Sequence, residues 1–186
     1  LNPKSVIIGF VGRLEKVKGG EVLLSAAQKL LKESPSTQIV FAGEGKERSV
    51  WEQWAEKENL SHNVFFLGNV EAIHEIYAIL DIFVYPVLWE EGFGLSVLEA
   101  MAAQKPVVVS NTGALPSLVI DQVSGMIIPK NDPIRLTEAL KELAADKGKC
   151  IAMGQKGFER ARMDFSIHKA VKDLEQVYEA VVNYEN

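Results

Sequence analysis

The sequence predicts a Rossmann-like, doubly wound α/β fold, a parallel six-stranded sheet with helices on both faces and extra helices at the C-terminal end. Three observations lead there. Six short apolar runs rich in β-branched residues alternate with segments of helical period. The runs are almost continuous in hydrophobicity, as strands covered on both faces must be. The connections are short, which suits right-handed crossovers between parallel neighbours. A length of 186 residues, with 47% apolar and 24% charged, fits one globular domain with a real core, spanning residues 1–186. The same figures exclude disordered and collagen-like classes.

Taken in order, the strand candidates are residues 6–11, 38–42, 64–67, 82–85, 107–109 and 126–128. Between the first two, Leu23, Ala26, Ala27, Leu30 and Leu31 recur at i, i+3, i+4, i+7 and i+8, one face of a helix. Residues 46–58 mix acids and bases as a solvated helix face does, with Trp51 and Trp54 three apart on the side expected to enter the core. A further helix begins near Gly94 or Leu95, since Leu95, Leu98 and Ala102 share a helical face. Asp132-Pro133 opens another with a capping side chain and a proline at the first position, and Leu136, Ala139, Leu140, Leu143 and Ala144 follow at helical spacing. The last helix, about 166–182, carries Ile167, Ala170, Val171, Leu174, Tyr178 and Val181 on one stripe. The closing helices are expected to pack over the sheet or reach toward a neighbouring domain. Leu1 is not a methionine and a strand follows almost at once, so the chain reads as cut from something longer.

Twenty basic and 25 acidic residues leave a net charge of −5, which excludes a nucleic-acid binder working through a broad basic field. One cysteine, Cys150, forms no internal disulfide and suits a reducing, cytoplasmic setting. It is expected to be a buried or half-buried thiol. No metal-ligand spacing is present, and His62, His74 and His168 are too dispersed for a catalytic role. No apolar run reaches the roughly 18–20 residues that span a bilayer, and no signal-peptide pattern opens the chain.

Ligands of open α/β sheets bind beyond the carboxyl ends of the strands. There the runs end in Gly12-Arg13, Gly43-Glu44-Gly45, Gly68-Asn69-Val70, Pro86 leading to Glu91-Gly92-Phe93-Gly94, and Ser110-Asn111-Thr112-Gly113. Any one such turn needs glycine for its own geometry; five together favour a binding edge. The first turn matches neither the dinucleotide fingerprint nor the P-loop. Arg13 and Lys18 flank the start of a helix whose amides also favour anions, so the turn suits a diphosphate, though equally a solvated basic loop. In the fourth turn Glu91 precedes a helix start and Glu99 lies about one turn inside it. Two carboxylates so spaced can grip hydroxyls at opposite ends of one ligand, with Gly92 and Gly94 admitting it to the backbone. Trp89 could stack on a sugar, although packing beside the helix is the stronger expectation.

The segment from Glu91 to Glu99 resembles the Glu–seven residues–Glu motif of retaining glycosyltransferases of the GT-B architecture, in particular glycosyltransferase family 4 (group 1). The first turn is similar to that family's G-R-L…K-G element at Arg13 and Lys18. Phe66-Leu67-Gly68, the run from Asp81 to Pro86, and Pro106-Val107-Val108-Val109 match in order and spacing, so the likeness runs from Val6 to the final helix. The chain departs from the family pattern at Gln104, Ala114 and Ser117, where glycine, glycine and glutamate are frequent.

The resemblance implies the C-terminal, donor-binding half of a GT-B enzyme, with the N-terminal acceptor domain outside this chain and the isolated half inactive. Arg13 and Lys18 would bind the diphosphate of a nucleotide-sugar, beside Gly12. Glu99 would hold the ribose hydroxyls and Glu91 the donor sugar. Amides of Phe93, Gly94 and Leu95 would line the phosphate–sugar junction, and Asn69-Val70 would form the base edge. The implied reaction is a hexosyltransferase-type transfer with retention, needing no metal and no cofactor, with Arg13, Lys18 and Glu91 as the residues of the reaction centre. No D-x-D sequence occurs to hold a bridging metal. A covalent role for Glu91 is disfavoured, since the family uses it to bind sugar hydroxyls. The implied partners are the nucleotide-sugar and the acceptor domain, with room for peripheral membrane association of the full enzyme. A sugar-nucleotide epimerase of similar fold and a non-catalytic nucleotide-sugar-binding module are the alternatives.

Overall fold

The computed structural model describes residues 1–2 and 4–184. Six strands, β1 (Ile7–Val11), β2 (Gln38–Ala42), β3 (Val64–Gly68), β4 (Ile82–Tyr85), β5 (Val107–Ser110) and β6 (Met126–Ile128), coincide with the six predicted runs to within a residue. All pair in parallel, in the order β3-β2-β1-β4-β5-β6. This is the doubly wound order, and its direction reverses between β1 and β4. Five helices form the crossovers: α1 (Gly20–Glu33), α2 (Arg48–Lys57), α3 (Ile73–Ile79), α4 (Leu95–Ala102) and α5 (Leu115–Leu118). Three more close the chain, α6 (Pro133–Ala145), α7 (Lys147–Asp164) and α8 (Ile167–Tyr184).

Every residue of β1, β4 and β5 is buried, so neither face of the central sheet meets water. That is the physical reason their sequences do not alternate. The stripe of α1 is wholly buried and packs on α6, whose Leu136, Leu140 and Leu143 are buried in turn. Asp132 caps α6 as expected, its carboxylate accepting from the N–H groups of Ile134 at 3.0 Å and Arg135 at 2.9 Å. Trp51 enters the core at 1% exposure and meets the Phe41 ring at a tilt of 47°, as the helix face predicts.

The closing helices divide. α7 packs on α4 through a face of small residues, Gly154, Gly157 and Ala161 with Met153. A Cβ on Gly154 would lie 2.1 Å from the carbonyl oxygen of Gln104, so only glycine allows this approach. Gln104 itself keeps a glycine-like φ of 59°, which accounts for the family's frequent glycine there. On α8 the apolar stripe stays exposed, with Ile167, Val171, Leu174, Tyr178 and Val181 each about half or more accessible. Among the described residues no helix is long and apolar enough to cross a membrane.

Gly154→Leu should push α7 off α4 and lower stability by at least about 2 kcal/mol, read as a lower urea midpoint at unchanged m-value.

Candidate functional site

β1 and β4 are hydrogen-bonded neighbours, in register at Ile8 with Ile82 and Gly9 with Phe83, so their carboxyl ends finish side by side. Beyond β1 the chain passes Gly12, makes a short 3-10 turn at Lys16–Lys18 and reverses at Gly19, whose φ is 75°. A Cβ on Gly19 would lie 1.9 Å from the Pro86 carbonyl oxygen, so the turn is pressed onto the segment leaving β4. The Leu88 N–H donates to the Val17 carbonyl at 2.8 Å and fixes the contact. These constraints deliver Lys18 to Tyr85 and Glu91.

The three side chains close on one oxygen. Lys18 Nζ donates to Glu91 Oε2 at 2.6 Å and to the Tyr85 hydroxyl at 2.9 Å. Tyr85 donates to the same Oε2 at 2.8 Å. Lys18 and Glu91 are only 17% and 16% exposed. The turn bearing Glu91 is clamped by the loop after β5. Ala114 N–H donates to the Glu91 carbonyl at 2.9 Å, and a Cβ on Gly113 would come within 2.3 Å of that oxygen. Burial works against both charges, but the hydrogen bonds outweigh it, so Lys18 is raised and Glu91 lowered from their ordinary values. A backbone hydrogen bond from Phe93 adds to the hold on Glu91. Burial also raises Tyr85, which therefore remains a protonated donor. A carboxylate held this way is a weak base and a good fixed acceptor.

The other candidates occupy two neighbouring places. Gly12, Arg13, Asn69 and Val70 line one open cavity of about 430 Å³ beyond β1, β2 and β3, together with Gly43, Glu44 and Ile73. Gly43 makes the close approach possible, since its Cβ would lie 2.0 Å from the Gly12 carbonyl oxygen. Arg13 is 71% exposed and bonds Glu15 at 2.9 Å, so it stands on the rim while Lys18 lies in the cluster. On α4, Glu99 is exposed, and its Oε2 accepts from the Tyr77 hydroxyl at 2.7 Å. Gly94 caps that helix at φ 88°, with no room for a Cβ beside Leu115. Phe93 and Leu95 are exposed, and nothing lies within 4 Å of where a Gly92 Cβ would be, so this turn is open to a ligand.

One expectation is corrected. Trp89 does not pack beside α4: its backbone is tied down by Thr112, whose Oγ1 donates to the Trp89 carbonyl at 3.4 Å, and the indole projects outward at 70% exposure. The three histidines lie on the surface and Cys150 is half-buried, as expected. Burial, with Asp81 and Asp146 nearby, pushes the Cys150 thiol up to about 11. Among the described residues no three His, Cys, Asp or Glu side chains gather as a metal cluster would. The glycine-marked turn at Gly43-Glu44 lines the cavity as the sequence suggested, whereas sequence reasoning missed Tyr85, Tyr77 and Ile73. A polar-tipped aromatic ending a buried strand at the carboxyl edge was the available signal for Tyr85.

The pair should give stability a defined pH window. Glu91 is lowered, so its contribution is present above its ordinary 4.5 and fades as pH falls through the folded value. Lys18 is raised, so its contribution holds below 10.5 and fades as pH rises through the folded value. Lys18→Met should therefore cost about 1–3 kcal/mol at pH 7, with the gap to the parent closing in urea titrations as pH falls through the lowered Glu91 value.

A family model described as glycosyl transferases group 1 matches residues 1–160. Among curated proteins, the D-inositol 3-phosphate glycosyltransferase of Corynebacterium jeikeium (strain K411) is 36% identical over 185 residues, covering 95% of this chain and 44% of that protein. Among solved structures, the C-terminal domain of the glycosyl transferase group 1 family protein LpcC from Francisella tularensis matches with a TM-score of 0.80 at 29% identity, covering 87% of each chain. Anabaena HepE, solved in complex with UDP, has a TM-score of 0.89 at 22% identity over 95% of this chain and 49% of that one, a likeness of fold. The chain spans a little under half the length of the first curated relatives it matches. With the predicted sheet order in place and a family match running over most of its length, the chain belongs to the glycosyl transferases group 1 family.

Proposed function

We propose that this chain is the donor-binding half of a two-domain glycosyltransferase that takes a nucleotide-diphosphate sugar and transfers the sugar, with retention and without a metal, to an acceptor held by an N-terminal domain. The observation that carries the reading is the meeting of Lys18 and Glu91 at the β1–β4 switch point, beside the cavity lined by Gly12, Arg13, Asn69 and Val70. Curated relatives more than twice as long support the second domain, and the UDP bound by HepE supports the ligand class.

In this reading the base lies along Asn69-Val70 and Glu99 takes the ribose hydroxyls. Arg13 and Lys18 bind the diphosphate, and Glu91 accepts from hydroxyls of the sugar. Amides of Phe93, Gly94 and Leu95 flank the phosphate–sugar junction. Lys18 uses two of its three N–H groups on Glu91 and Tyr85, leaving one for phosphate. Breaking the anomeric C–O bond leaves negative charge on the diphosphate, and fixed cations stabilise it as it develops. The sugar carbon becomes oxocarbenium-like, and Glu91 serves as a hydroxyl acceptor, not as an attacking group. A cytoplasmic setting fits the lone reduced thiol.

Titration calorimetry with UDP, GDP and ADP tests this directly. One of them should bind, and Arg13→Ala or Lys18→Ala should weaken it about tenfold or more. Binding of none, or indifference to both substitutions, would sink the assignment. Glu99→Ala should weaken the bare nucleotide, whereas Glu91→Ala should act mainly on the sugar conjugate; equal losses on the bare nucleotide would contradict that division.

A further inference from the structure

The two motif glutamates share a construction that their spacing does not reveal. Each accepts a hydrogen bond from a tyrosine hydroxyl, Glu91 from Tyr85 at 2.8 Å and Glu99 from Tyr77 at 2.7 Å. The tyrosines come from different elements, β4 and α3, and both rings pack on Phe83, with centroids 6.3 and 5.8 Å away. Both side chains are almost wholly buried, at 4% and 3% exposure. Each hydroxyl therefore emerges from the core at a fixed point, while the carboxylate it meets belongs to the turn before α4 or to the surface of that helix.

We propose that Tyr85 and Tyr77 are positioning residues of this site, each fixing one glutamate carboxylate through its hydroxyl, with Tyr85 also fixing Lys18. The inference rests on the donor-binding reading above and deepens it. Chemistry and geometry both support it. A glutamate side chain has three rotatable bonds, and burial does little to restrict an exposed one such as Glu99. A hydroxyl donating to a charged oxygen is among the stronger hydrogen bonds, and here its donor is immobile. At Tyr85 the hydroxyl does two things at once. It donates to Glu91 and accepts from Lys18, whose ammonium also lies 5.4 Å from the tyrosine ring centroid. One phenol thus sets the direction of both the cation meant for phosphate and the anion meant for sugar. The hydroxyl of Tyr77 also reaches the Ser96 carbonyl at 3.2 Å, tying Glu99 to the first turn of its own helix.

Tyr85→Phe and Tyr77→Phe keep the rings and remove only the hydroxyls. Calorimetry with UDP, GDP, ADP and their glucose conjugates should find the nucleotide that the parent binds weakened about tenfold by Tyr77→Phe. That loss should shrink below about twofold when Tyr77→Phe is made in a Glu99→Ala background, as coupled sites require. Tyr85→Phe should act more on the sugar conjugate than on the bare nucleotide; beside Glu91→Ala the extra loss on the conjugate should vanish, leaving only the smaller loss on the bare nucleotide that runs through Lys18. Losses that simply multiply in the double variants would mean a general structural role and overturn the proposal. A ligand-free measurement separates this from the functional reading. In a carbon-13 titration, the Glu91 carboxyl should titrate at higher pH in Tyr85→Phe than in the parent. An unchanged titration overturns the hold of Tyr85 whichever nucleotide binds. Failure of every nucleotide with a shifted carboxyl would instead remove the donor reading and keep the positioning.

Discussion

The pairing of β1 with β4 is the constraint on which the site depends, because it brings together residues 73 apart in sequence. Two turns meet at that junction, and neither could hold its charged residue alone. Lys18 sits on three residues of 3-10 helix with no buried side chain of its own. Glu91 sits in a loop before α4. What stiffens them is backbone against backbone, with Gly19 pressed on Pro86 and Gly113 on Glu91, where a single methyl group would force the chains apart. Partly burying a lysine and a glutamate costs solvation, and a lone contact would not offset it. Here the Tyr85 hydroxyl and a Phe93 backbone hydrogen bond complete the hydrogen bonding, so both groups remain charged.

The core reaches this junction through its aromatic rings. Phe66 stacks on Phe41 with centroids 4.9 Å apart, Phe41 meets Phe10 at 5.6 Å, and Phe10 meets Tyr85 at 5.9 Å. The row crosses from β3 to β4 and ends on the Tyr85 hydroxyl. Trp51 braces it from α2. Packing energy spread over the whole sheet therefore decides where one phenol oxygen stands, which is how a hydrophobic interior can position polar groups that it does not contain.

Much of this was legible in the sequence. Strands buried on both faces cannot hide, because continuous β-branched runs have few other uses; the stripes of α1 and α6 and the Asp132 cap were equally plain. The glycine-marked turns located the edge, and the Arg13–Lys18 and Glu91–Glu99 spacings located the candidate residues upon it. The illegible parts share a cause. α7 packs through Gly154 and Gly157, so its buried face carries no hydrophobic period to read. Tyr85 and Tyr77 look like core aromatics because their rings are just that, and only the third dimension shows where each hydroxyl emerges. Trp89 misled for the opposite reason, since a large apolar side chain was expected to pack beside the helix and instead projects outward at 70% exposure. Nor could spacing say that Lys18 would be enclosed while Arg13, five residues earlier, stands in water.

That last difference has a thermodynamic consequence. A lysine loses up to about 2 kcal/mol of rotamer entropy when its side chain is immobilised. For Lys18 most of that loss falls on folding, since Glu91 and Tyr85 of the chain itself hold the ammonium. Arg13, 71% exposed and, among the described residues, paired with Glu15, would still have its freedom to lose on binding an anion. In the proposed donor-binding reading, two cations of equal charge at one edge would thus meet the same ligand on unequal terms, the enclosed one at little further entropic cost and the exposed one at nearly its full cost.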